Sequence, residues 1–168
     1  MPRSFEMGTD YATSVEQVHR ALSDRRYWLA RLAGSGADEA ILENMNVGSD
    51  GRVEVVTTQV LRSDRLPGLV SQFHRGDLAI RREETWTPVQ DSRSRAAVAG
   101  SIAGAPVSLT GEAVLAPLEA FSRLDLQATV EVRIPLVGRK LETFIGNQLI
   151  ELLAAEQRFT TRWIAENH

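Results

Sequence analysis

Three charged side chains in this sequence fall on faces that should be dry. In "AIRREETW" (79–86), Arg82 and Glu84 alternate in step with Ile80 and Trp86, so a period-two strand turns all four the same way. Far along the chain, Glu156 stands between Leu152 and Phe159, roughly 20° from the centre of an apolar stripe when each helical residue advances ~100°. A charge taken out of water is costly unless it is paired or neutralised. Arg82 with Glu84 or Glu156 therefore fits an internal ion pair that closes one end of a core. A second reading takes an acid–base pair facing an open pocket from among Glu84, Glu156 and His74. A bulge within this stretch would instead reverse its parity and leave Arg82 and Glu84 in water.

Other routes to chemistry are closed by composition and spacing. The chain has no cysteine, which excludes disulfides, thiolate metal sites and cysteine nucleophiles. His19, His74 and His168 are far apart and lack metal-ligand spacing, and no carboxylate is placed to complete a triad with them. His19, between Val18 and Arg20, reads as a surface residue of a helix. No serine has the G-x-S-x-G context, and "GSGADE" and "GSDG" are turns that precede no phosphate-binding helix. No metal and no cofactor is expected. The formal charge of −3 and the scattering of arginines among acids argue against nucleic acid as a partner. "MPRSFEMGTDY" lacks an apolar signal core, and no stretch approaches the roughly 18–20 apolar residues of a membrane span, so a cytoplasmic location is expected.

The elements that must position these residues can be read from periodicity. "RSFEMGTDY" alternates, with Phe5, Met7, Thr9 and Tyr11 on one side. "TSVEQVHRAL" opens a helix that Thr13 or Ser14 can cap, with Val15, Val18 and Leu22 inward. A second helical run, "RRYWLARL", stops at "GSG" (34–36). Strands are predicted over 38–47, 52–62, 77–87, 93–103, 107–116 and 121–134, and the loop 65–76 holds Phe73 and His74. Short links between them favour an antiparallel meander. The strand 121–134 alternates most cleanly, with Leu124, Leu126, Ala128, Val130, Val132 and Ile134 on its dry face. A terminal helix over 139–167 would span about 40 Å at 1.5 Å per residue, long enough to cross a whole sheet. Leu141, Ile145, Leu149, Leu152, Phe159 and Trp163 make its stripe, flanked by Phe144, Leu153 and Ile164. At 168 residues, 43% hydrophobic and 24% charged, the chain suits one domain over 1–168, of α+β class.

This order, with a strand leading through "RIPLVGRKLE" into the long helix, resembles the START-like (Bet v 1-like, helix-grip) superfamily that includes polyketide cyclase/dehydratase-type domains. Within it, the chain is similar to an uncharacterised actinobacterial family, a domain of unknown function. The resemblance implies a curved antiparallel sheet of six to seven strands wrapped around the C-terminal helix, with two short helices after the first strand. It also implies an apolar cavity between sheet and helix, with an entrance near the loop that carries Phe73 and His74. Small residues at Ala97, Ala99, Ser101 and Ala103, and at Gly111 and Ala113, would widen that space. The ligand contacts this implies are Phe73, Arg82, Glu84, Trp86, Leu109, Leu126, Phe144, Gln148, Leu152 and Glu156. Arg82 with Glu84 or Glu156 would then anchor the head group of an otherwise apolar ligand. The expected function is binding of a lipid- or polyketide-like small molecule for carriage or sensing. A cyclase/dehydratase-type enzyme using the cavity carboxylates and a protein-interaction scaffold are the alternatives, and no protein partner is indicated.

Overall fold

A computed structural model describes residues 2–72 and 74–167, and only the backbone of Arg65 and Leu69. Alternating residues make seven strands: β1 (Arg3–Tyr11), β2 (Glu39–Val47), β3 (Val53–Leu61), β4 (Leu78–Trp86), β5 (Ser94–Ile102), β6 (Val107–Leu118) and β7 (Phe121–Val132). They form one sheet in the order β1-β7-β6-β5-β4-β3-β2, with every neighbouring pair antiparallel. The first two strands lie at opposite edges because α1 (Val15–Leu22) and α2 (Arg25–Ala33) carry the chain across. Ser14 caps α1 with a complete capping box, its hydroxyl accepting from Gln17 N while the Gln17 side chain accepts from Ser14 N. A single helical turn, α3 (Gly68–Ser71), interrupts the β3–β4 loop, and α4 (Gly138–Asn167) ends the fold.

The junction between β7 and α4 fixes the helix to the sheet. Gly138 N donates to Ile134 O at 2.9 Å, and a Cβ on Gly138 would lie 2.5 Å from the Val132 carbonyl oxygen. One turn on, Glu142 is fully buried and accepts from Val132 N at 2.9 Å, closing the end of β7. At Gly146 the helix comes so close to β1 that a Cβ there would overlap the Phe5 ring. From this pinned end α4 packs chiefly on β1 and β7, with α1 and α2 against its second half. The inner faces of β3, β4 and β5 are therefore only partly covered, and Gln59, Ile80, Val98 and Ile102 are half-buried.

The buried residues of α4 are Gly138, Leu141, Glu142, Gly146, Thr160 and Ile164, with Leu149, Leu153 and Glu156 half-buried between them, so the shielded face is centred to one side of the stripe through Ile145. Several of its deepest positions are Gly, Glu and Thr, residues that an apolar count does not register. Two further expectations are corrected. In β5 the inward residues are Ala96, Val98 and Gly100, which pair with Ala113, Gly111 and Leu109, so Ala97, Ala99 and Ser101 face outward and Ala103 lies past the strand. Both parities of "RAAVAGSIA" are small, so only cross-strand register decides its face. His19 is buried rather than on the surface, and its Nε2–H donates to the Thr87 carbonyl at 3.0 Å, tying α1 to the end of β4.

Candidate functional site

Between α4 and the inner faces of β4 to β7 lies a cavity with about 850 Å³ of empty space, its open mouth included. Val98, Leu109, Leu126, Leu149 and Leu152 contribute apolar wall, and Gly100 and Gly111 keep the inner surface of β5 and β6 low. Leu152 remains 37% exposed although it lines the space, which places it at the mouth. At the opposite end α1 and α2 close the cavity with Val18, Leu22 and Tyr27.

A network of four charges is built into this wall. No bulge interrupts β4, so its parity carries Arg82 and Glu84 inward beside the buried Trp86. Arg82 Nε donates to Glu84 Oε2 and Arg82 Nη2 to Glu156 Oε2, both at 2.9 Å. Arg31, from the last turn of α2, pairs with the same oxygen of Glu156. Trp86 Nε1–H donates to the second Glu84 oxygen at 3.3 Å. A relay of hydroxyls completes it: Arg31 Nη1 donates to Tyr27 Oη at 3.3 Å, Tyr27 to Thr160 Oγ1 at 2.6 Å, and Thr160 to the Glu156 carbonyl at 2.7 Å. The Arg31 guanidinium also lies 4.7 Å from the Trp28 ring centre, a favourable cation–π distance.

These contacts decide the electrostatics. Burial alone would raise the Glu156 pKa, but the two guanidiniums outweigh it and hold the carboxyl below its ordinary value. Burial disfavours the charge on Arg31, yet Glu156 and its neighbours hold the pKa well above the usual arginine value. Tyr11, at the end of β1, is 7% exposed and lines the same cavity. Burial pushes its phenol pKa upward, Tyr27, Glu156 and Glu84 add to the rise, and Arg31 opposes it, so the group stays a neutral O–H donor. Among the described residues no group of three or more His, Asp or Glu is placed to hold a metal ion, and no helix is long and apolar enough to cross a membrane.

A family model described as a protein of unknown function, DUF2505, matches residues 6–164. The chain belongs to the DUF2505 family. Uncharacterised proteins of Mycobacterium bovis and Mycobacterium tuberculosis are each 56% identical to it over 173 residues, covering 99% of both chains. Among solved structures, TTHA0849 from Thermus thermophilus superposes with a TM-score of 0.64 at 15% identity, covering 99% of this chain and 100% of that one. The ZhuI aromatase/cyclase from Streptomyces gives 0.63 at 11%, over 98% and 94% of the chains. Norcoclaurine synthase from Thalictrum flavum gives 0.57 at 15%, over 99% and 88%. The fold of this DUF2505 chain is thus the helix-grip fold that these structures share.

The predicted contact residues divide within this fold. Arg82, Glu84, Trp86, Leu109, Leu126, Leu152 and Glu156 all line the one cavity. Phe144 and Gln148 do not, because the rotation of α4 carries them away from it, and Gln148 is exposed. Phe73 and His168 lie outside the described residues. His74 sits in the β3–β4 loop, donates to the Asp77 carbonyl at 3.1 Å and does not reach the carboxylates. Arg31, Tyr27, Thr160 and Tyr11 are the cavity residues that the sequence pattern did not single out. Arg31 had a local signal, since it follows Trp28 by three residues and Tyr27 by four, on one helical face.

Proposed function

We propose that this protein binds one hydrophobic or amphipathic small molecule, lipid- or polyketide-like, between its sheet and α4, for carriage or sensing. The observation that carries this reading is a cavity between sheet and α4 whose walls are apolar side chains and whose polar groups are gathered in one cluster. Trp86, Leu109, Leu126 and Leu152 would hold the ligand's body, and the cluster around Arg82, Glu84 and Glu156 would face its polar end.

The ion network favours binding over acid–base catalysis. Glu84 and Glu156 are both tied to Arg82, and the lowered pKa of Glu156 makes it a weak base. One solved structure of this fold is an aromatase/cyclase, and at 11% identity that likeness bears on the fold alone.

The test uses the neutral apolar dye Nile red. Titration is expected to raise its fluorescence and the protein's melting temperature, because a ligand at 100 times its Kd stabilises the folded state by about 2.7 kcal/mol. Val98→Phe, which fills the cavity from β5, is expected to stay folded and lose both responses. Absence of any dye response in the wild-type protein, together with no bound molecule by native mass spectrometry from its natural host, would overturn the reading.

A further inference from the structure

The charges in the cavity wall cancel one another. Arg31 and Arg82 are the cations, Glu84 and Glu156 the anions, and each guanidinium already faces a carboxylate. A carboxylate or phosphate ligand would have to displace Glu156 from two arginines, and an ammonium ligand would have to displace an arginine from its glutamate. Either exchange loses charge-assisted bonds that are short and partly shielded from water. The neutral donors are mostly committed as well. The Tyr27 hydroxyl is spent on Thr160, the Thr160 hydroxyl on the Glu156 carbonyl, and the Trp86 indole N–H on Glu84.

The exception is Tyr11. Its side chain is more than nine-tenths buried and lines the cavity, yet among the described residues no hydrogen bond engages its hydroxyl. That hydroxyl is therefore a neutral donor of the cavity wall left uncommitted by the protein and able to meet whatever the cavity holds. We infer that the bound molecule is uncharged and carries an oxygen acceptor, a ketone or similar carbonyl, that receives the Tyr11 hydroxyl. This rests on the binding function proposed above and narrows it, because it excludes free fatty acids and other anions as the preferred cargo.

Three naphthalenes of similar shape separate the alternatives. 2-Acetonaphthone offers a neutral carbonyl, 2-ethylnaphthalene offers none, and 2-naphthoate is an anion at neutral pH. The ketone is expected to bind tightest. Tyr11→Phe, which removes no protein–protein hydrogen bond, is expected to weaken ketone binding about 5- to 10-fold and leave the hydrocarbon within about 2-fold. The carbonyl stretch of the bound ketone is expected at lower wavenumber in the wild-type protein than in the variant, a readout that altered packing alone would not give. If 2-naphthoate binds as tightly as the ketone, or if Tyr11→Phe changes all three equally and leaves the carbonyl stretch unmoved, the inference fails while the binding function stands. If none of the three binds while Nile red does, the inference alone falls.

Discussion

Glu156 accepts from Arg31 and Arg82 at a single oxygen, so its removal would leave the partly buried Arg31 without a carboxylate and Arg82 with Glu84 alone. Breaking such a pair from one side costs about 3–5 kcal/mol, and Glu156→Gln is expected to lower stability by about that much in urea denaturation at pH 7. The pH dependence follows from the sign of the shift. A carboxyl whose pKa is lower folded than unfolded stabilises the protein above the unfolded value, and loses that contribution as pH falls through the folded one. The wild-type protein should therefore lose stability steeply below about pH 4, and the Gln variant should show a flatter acid limb over the same range. Three of the four charges were legible in the sequence, because strand parity and helix phase are local and each put a charge on a dry face. Arg31 was not, because its spacing to Tyr27 and Trp28 marks only its helical face, and not the residue 125 positions away that it meets.

The placement of α4 depends on small and polar residues more than on its leucines. Gly146 lets the helix touch Phe5, so Gly146→Ala must push either the ring or the helix aside. Overpacking of this kind costs about 1–3 kcal/mol, and trimming the ring in a Phe5→Leu, Gly146→Ala double variant is expected to recover part of it. A double-mutant cycle by thermal denaturation checks this, and strict additivity would contradict the contact. The length and ends of α4 were readable because glycine at 138 and a sustained helical period mark them. Its rotation was not, since a stripe of leucines reports only what is apolar, whereas Glu142, Gly146 and Thr160 are buried for reasons of hydrogen bonding and close approach. That difference is why Gln148 and Phe144 fall away from the cavity.

At the scale of the whole molecule, coverage of the sheet is uneven. Strands β1 and β7 pack against α4 and β6 adjoins β7, whereas β2 to β4 lie farther along the sheet from that helix, with α2 resting on β2. Amide hydrogen exchange is expected to be slowest in β6 and β7 and faster in β2 to β4, with added Nile red slowing exchange at Arg82 and Glu84. Uniform protection across the sheet would contradict it. The fold itself was legible because the order of elements and their short links leave few ways to join an antiparallel sheet to one long helix. Register was the illegible part, as the reversed face of β5 shows, because strands with small residues on both sides carry no label for in or out. The half-open flank has a kinetic consequence. A guest could slip in sideways past Leu152 by a turn of that one side chain, a motion of picoseconds to nanoseconds, so loading and discharge need not wait on any slow backbone rearrangement.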